Sequence, residues 1–315
     1  MSSLGGPETR FSISIEPDEA GYVGRECPSQ ECLGYFKVTP GTGLSGQPDC
    51  HCPYCGHAAE HNQYFTRAQI EYAKSVALNA VTGALLKDLK RLEFESKPHG
   101  AFGIGLSMKV SGRPTPIRYY REEGLETEII CEACSLRYAI YGVFGYCPDC
   151  GVHNSLQILA KNLELIGRML DLAQSEGESV GQAIVANALE DAVAAFDGFG
   201  REISRVYGAK ATDPAQVGRI SFQNLARARR KVEQLFGIDI GVGLGSEEWS
   251  LCLRCFQKRH LLAHRLGVVD AEYLRAADDA TAMVGRKIRI GSDEVRMLVG
   301  ALAMLGTYLH DQLKS

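Results

Sequence analysis

The sequence predicts an α+β multidomain chain: two small strand-rich cysteine modules joined by a helix, then an all-α helical bundle. Three observations predict it. Eight of the 11 cysteines fall into four short pairs in the first half. Short alternating runs broken by Gly and Pro surround those pairs. After residue 154 the text changes to long amphipathic runs with helical spacing.

Residues 1–65 form the first module. RFSISIEP and YFKVTP read as short strands between turns, and so Gly- and Pro-rich a segment cannot enclose a large apolar core. Residues 66–98 form the linking segment: from Thr66 to Glu93 there is no Pro, and Ile70, Val76, Leu78, Val81, Leu85 and Leu89 recur at helical spacing. Residues 99–154 return to strand text in GIGLSMKV, PIRYY, TEIICEAC and RYAIYGVFGY. Residues 155–315 predict five long helices, over 155–174, 179–207, 220–236, 247–266 and 292–313. Ser292, followed by Asp293 and Glu294, is the expected N-cap of the last, with acids where the helix dipole favours them.

Composition narrows the function classes. Thirty-four Lys and Arg against 38 Asp and Glu give a net charge of −4, and neither half is basic, so any nucleic-acid site must be local. The opening MSSLGGPETR has no apolar core of a signal peptide, and AIVANALEDAVAAF is interrupted by Glu190 and Asp191, so a cytoplasmic protein without a membrane span is expected.

The cysteine pairs carry the clearest chemistry. Cys131-Glu-Ala-Cys134 and Cys147-Pro-Asp-Cys150 are joined by an aromatic hairpin that brings four thiolates to one tetrahedral ion. Cys27-x4-Cys32 and Cys52-Pro-Tyr-Cys55 follow the same plan across a longer loop, where Cys50, His51 and His57 lie close enough to substitute as ligands. Both modules resemble zinc ribbons, in which a metal replaces the core that some fifty residues cannot supply. Two structural zinc ions are expected, with rubredoxin-like iron as the alternative. Around the second module, Arg118, Tyr119, Tyr120, Arg121, Arg137, Tyr138, Tyr141 and Phe144 mix base and ring as single-strand binders do. Packing of the small sheet is the reading preferred, because Glu122, Glu123, Glu126 and Glu128 would repel a phosphate backbone.

In the helical half, His260 and His264 stand one turn apart on one helix face, flanked by Arg259, which suits a small anion site. Cys252, Cys255, His260 and His264 have the spacing of a zinc knuckle, but on a helix the ends stand roughly 18 Å apart, so the two cysteines are expected to be buried thiols. HLLAH also lacks the glutamate of a metalloprotease helix. Arg227, Arg229, Arg230 and Lys231 read as a solvated helix face.

Arg259-His260-x3-His264 late in an α-helical bundle, continued by Gly267-Val-Val-Asp270-Ala-Glu-Tyr273-Leu, resembles the HEPN superfamily over roughly residues 155–315. Arg265 stands where many members of the related branch carry Asn. The resemblance implies metal-independent cleavage of RNA by a homodimer whose two motifs face each other, leaving 2′,3′-cyclic phosphate ends, in stress response, toxin activity or anti-phage defence. A protein regulator or antitoxin belongs to that setting. In this reading His264 is general acid or base, Arg259 binds the scissile phosphate and His260 orients or shares the proton. The competing reading is a non-catalytic adaptor, with ribbons that bind protein or nucleic acid and a bundle that dimerises. It predicts that Arg259 and His264 are satisfied internally, whereas the enzyme needs them open to solvent.

Overall fold

A computed structural model of the chain describes residues 12–44, 46, 48–96, 106–125, 127–277 and 279–315. They divide into two compact units, Met1–Val152 and His153–Ser315. Small antiparallel sheets occupy the first and helices the second, so the chain is mixed α and β with a helical C-terminal region.

The first unit runs β1 (Val23–Glu26), β2 (Tyr35–Val38), β3 (Asp49–His51), β4 (Ala58–Glu60), α1 (Arg67–Lys90), β5 (Phe94–Ser96), β6 (Leu106–Met108), β7 (Thr127–Ile130) and β8 (Arg137–Ile140). Its largest sheet has the order β1-β2-β8-β7, antiparallel throughout. The join is between β2 and β8, where Lys37 pairs with Ala139 and Val38 with Tyr138. The two cysteine modules, more than 70 residues apart in sequence, therefore share one sheet. Side chains from both fill its core: Phe36, Tyr64, Ile129, Leu136, Tyr138 and Ile140, together with the cysteines. Main-chain bonds reinforce the join, His51 donating to Pro148 O at 2.7 Å and Tyr146 to Pro53 O at 2.9 Å.

Among the described residues two expected strands are absent. Residues 12–17 of RFSISIEP are irregular, with Arg10 and Phe11 outside the described residues. PIRYY, at 116–120, is an extended stretch tied to the side of α1, not to a strand. Ser75 Oγ accepts from Arg118 N at 2.9 Å, Thr82 Oγ1 from Thr115 N at 3.0 Å, and Asn79 donates to Thr115 O at 2.6 Å. Side chains of a helix thus satisfy the backbone groups a ladder would have used. In GIGLSMKV only Leu106–Met108 is a described strand; residues 103–105, like Glu126, lie outside the described residues.

α1 begins with a capping box: Thr66 Oγ1 accepts from Gln69 N at 3.1 Å, and Gln69 Oε1 accepts from Thr66 N at 3.2 Å. The Gln69 amide also donates to Gly24 O at 2.9 Å, which pins the helix to β1. Further along, Leu78, Val81 and Leu85 are about half exposed, so its helical apolar spacing does not mark a buried face within this unit.

The second unit contains α2 (Ser155–Ser175), α3 (Glu178–Val206), α4 (Pro214–Val217), α5 (Leu225–Phe236), α6 (Ser246–Arg265), α7 (Ala271–Ala277) and α8 (Ser292–Lys314). Leu159, Leu163, Ile166 and Leu170 of α2, at helical spacing, meet Leu189, Val193 and Phe196 of α3 and Leu298, Leu302, Leu305 and Leu309 of α8 in one core. Four of the expected helices match α2, α3, α6 and α8 within one residue or two. The helix expected over 220–236 starts only at Leu225, because Asp197 takes the Phe222 N–H at 2.6 Å and Asn224 caps the helix by accepting from Arg227 N at 3.0 Å. At α8 the N-cap is Gly291 and not Ser292, which is already helical; Asp293 and Glu294 do lie in the first turn. Among the described residues no helix is long and apolar enough to cross a membrane.

Candidate functional site: tetracysteine centres and a histidine helix

The eight paired cysteines converge as two groups, Cys27, Cys32, Cys52 and Cys55, and Cys131, Cys134, Cys147 and Cys150. In each group all four Sγ atoms lie within 4.8 Å of one another. The local chain makes this happen in the same way four times. The first cysteine of each pair donates its N–H to a carbonyl five or seven residues on: Cys27 to Gly34, Cys52 to His57, Cys131 to Leu136 and Cys147 to Val152, at 2.8 to 3.0 Å. The residue after each second cysteine then turns with positive φ: Leu33 at 48°, Gly56 at 71°, Ser135 at 65° and Gly151 at 68°. A left-handed residue closes the turn so that both thiols point the same way. Glycine stands at two of the four positions, where that conformation carries no strain.

The donor set fits a tetrahedral thiolate-bound ion. Sγ separations are 3.7 Å for Cys27 and Cys55, 3.7 Å for Cys32 and Cys52, 3.7 Å for Cys131 and Cys150, and 3.5 Å for Cys134 and Cys147. A tetrahedron of sulfurs about 2.3 Å from zinc has edges of about 3.8 Å. Burial pushes the Cys27 thiol up to about 11 and Cys134 up to about 12, since a desolvated thiolate is disfavoured until a cation shares the site. The candidate substitutes stand outside both groups. The Cys50 thiol lies 3.9 Å from His51 O and burial pushes it up to about 12, while the His51 ring packs against Gly151. His57 offers its main-chain carbonyl to Tyr64 at 2.5 Å.

Of the aromatic and basic residues around the second group, Tyr138 is fully buried in the shared sheet, whereas Tyr119 and Arg137 are exposed. Leu44 N donates to Asp149 Oδ2 at 2.5 Å, so the loop of the first module is held by an acid between the ligands of the second.

α6 carries the histidines. Their rings lie side by side, centroids 4.7 Å apart and planes inclined at 54°, and both residues are exposed. Cys252 and Cys255 are buried on the opposite part of the same helix, and burial pushes the Cys252 thiol up to about 12. Arg259 turns elsewhere. It is half-buried, its Nη1 donating to Gln223 Oε1 at 3.4 Å, and its Nε is buried with no hydrogen-bond partner among the described residues. The histidines are thus paired by geometry, while Arg259 approaches from the side of the α3–α5 connection. The adjacent Lys258 faces inward, donating to both oxygens of Glu294 at 2.9 and 2.8 Å and to Arg289 O at 2.9 Å. Arg265 pairs with Asp270 at 3.7 Å, and Asp270 also caps α7 by accepting from Tyr273 N at 2.8 Å.

The residues that place Arg259 escape sequence reasoning. Asp197, buried in α3, accepts from Phe222 N at 2.6 Å, Ser221 Oγ at 3.3 Å, Arg201 Nε at 3.0 Å and Gln223 Nε2 at 3.3 Å. Gln223 passes this on to Arg259. The one signal in the sequence is an acid inside the apolar run AAFDGFG. The basic run on α5 is partly committed to structure: Arg229 grips Asp239 with two bonds, at 2.5 and 2.7 Å, and lies 5.0 Å over the Trp249 ring, while Arg227 and Arg230 are exposed.

Compared with known protein families, curated proteins and solved structures, the chain has no significant match.

Proposed function

We propose that the helical unit is a HEPN-type, metal-independent endoribonuclease and that the first unit is a pair of zinc ribbons, each holding one structural zinc ion. The observation that carries the nuclease reading is the exposed His260–His264 pair, its rings 4.7 Å apart, with Arg259 adjacent on the same helix. A motif serving only the core would face inward with its donors satisfied, as Lys258 does.

The chemistry these groups support is transfer of a phosphoryl group within RNA. One imidazole takes the proton of a ribose 2′-hydroxyl as its oxygen bonds to phosphorus. The bond to the 5′-oxygen breaks, and that oxygen gains a proton from an imidazolium, leaving a 2′,3′-cyclic phosphate. Arg259 holds the phosphate and offsets its developing charge, with Gln223 and Asp197 fixing the approach of the guanidinium. His264 is the principal acid or base and His260 its partner in proton transfer. In keeping with the resemblance, the active species is a homodimer with two motifs facing each other. Its setting is stress response, toxin activity or anti-phage defence in the cytoplasm, under a protein regulator. The zinc ions have four thiolates and no open position, so their part is to hold the ribbons together.

The test is incubation of end-labelled RNA without divalent metal, with wild type, Arg259→Ala and His264→Ala proteins of equal fold and oligomeric state. Cleavage by wild type, reduced at least about 100-fold in each variant, with cyclic-phosphate ends, is the expected result. Equal cleavage by all three overturns the site, and cleavage by none favours the adaptor.

A further inference from the structure

We propose that the first unit carries a second binding site, a tyrosine-walled cavity that takes a methylated ammonium group. The cavity, about 730 Å³, is formed where residues 16–20 and 119–122 meet α1, and Tyr72, Tyr119 and Tyr120 wall it. That volume lies within the range of small-ligand sites.

The rings are splayed and not stacked. Tyr72 and Tyr119 have centroids 6.1 Å apart at 40°, and Tyr72 and Tyr120 are 5.7 Å apart at 63°. Tyr119 is 80% exposed, so its ring stays open to a ligand. Open aromatic faces attract cations through their quadrupole, most effectively cations that are weakly hydrated.

Charge at the lining favours a cation. Glu16, Asp18, Glu19 and Glu122 line the cavity against a single guanidinium, that of Arg121. Two of these acids already accept hydrogen bonds from the protein. Asp18 accepts from Lys37 Nζ at 2.8 Å and from Ala20 N and Tyr22 N. Glu122 accepts from Tyr35 Oη at 2.6 Å and Gln69 Nε2 at 3.1 Å. Both donors to Glu122 are neutral, so these bonds leave its charge in place. Such a site offers negative potential together with ring faces, the combination that suits a weakly hydrated cation such as a methylated ammonium. The same acids exclude the phosphate backbone that a basic, aromatic patch would otherwise suit.

The experiment measures binding of choline to the full-length, metal-loaded protein by calorimetry, beside 3,3-dimethylbutan-1-ol, its neutral isostere. Peptides carrying trimethyllysine or unmodified lysine are the further probes. Choline or the trimethyllysine peptide is expected to bind about 5- to 30-fold more tightly than its uncharged or unmethylated counterpart. Tyr119→Ala, at an exposed position, is expected to weaken that binding about 3-fold or more with metal content and circular dichroism unchanged. Preference for the peptide places the ammonium on a protein and preference for choline on a free small molecule; both uphold the site. Equal binding of charged and neutral probes, equal binding of lysine and trimethyllysine, no binding of either methylated probe, or indifference to Tyr119→Ala overturns it.

Discussion

At Glu202, burial and hydrogen bonding pull a carboxylate in opposite directions. Burial by itself would raise its pKa, but the hydrogen bonds from His153, at 3.2 Å, and from Arg205, at 2.6 and 3.0 Å, outweigh it and hold the group at about 2. The folded value lies below the ordinary 4.5, so the group contributes stability that is complete above that pH and is lost as pH falls toward 2. Over that interval the contribution is about 3 kcal/mol. Glu202→Gln is expected to lower stability by up to about that amount at neutral pH, and its gap to wild type should close as the acid limb is descended. Urea unfolding followed by helical circular dichroism at several pH values reads this directly, and a gap independent of pH would show that Glu202 acts by packing alone. Asp197 poses the residue-scale contrast. It too is buried, but its four donors include one charged group and three neutral ones, and its effect is to position a chain segment.

Helices in this chain answer to their neighbours more than to their own periodicity. α1 repeats apolar residues at helical spacing, yet Leu85 is more than half exposed; α3 hides Gly200 in a crossing so close that an added Cβ would stand 2.5 Å from the Phe222 ring. Leu85→Gln is therefore expected to change stability by no more than about 0.5 kcal/mol. Gly200→Ala should cost about 1–3 kcal/mol and disturb the turn whose Phe222 N–H bonds Asp197. Thermal or urea unfolding of both variants measures the contrast, and equal costs would contradict the packing described. α5 shows the same rule: its first expected turn gives way because Asp197 and Asn224 take its N–H groups. A periodicity reading sees apolar residues but not the partner that claims the backbone.

For the whole molecule, the consequence of two tetracysteine centres is a division of stability. The strands of the first unit are three or four residues long, and its core includes the cysteines themselves. Such strands cannot offset the entropy of ordering the loops between them without a cross-link. Metal analysis is expected to give two ions per chain. Chelation should abolish the near-ultraviolet signal of the buried tyrosines of the first unit while most helical signal, from the second, survives. One ion per chain, or chelation without loss of tyrosine signal, would contradict the assignment.

Much of this was legible in the sequence for a local reason. A close cysteine pair is built within a few residues, so spacing alone announces eight thiols in four pairs, and the long helices of the second unit announce themselves through repeats of three and four. Helix geometry alone puts His260 and His264 on one face. Only the tertiary structure decided what depends on residues distant in sequence: that β2 pairs with β8 and merges the two cysteine modules, that Asp197 reaches Arg259 through Gln223, and that three tyrosines from α1 and the 119–120 stretch wall one cavity. Such contacts have no period and no spacing to betray them, because they are selected by the shape and charge of surfaces that exist only once the chain has closed on itself.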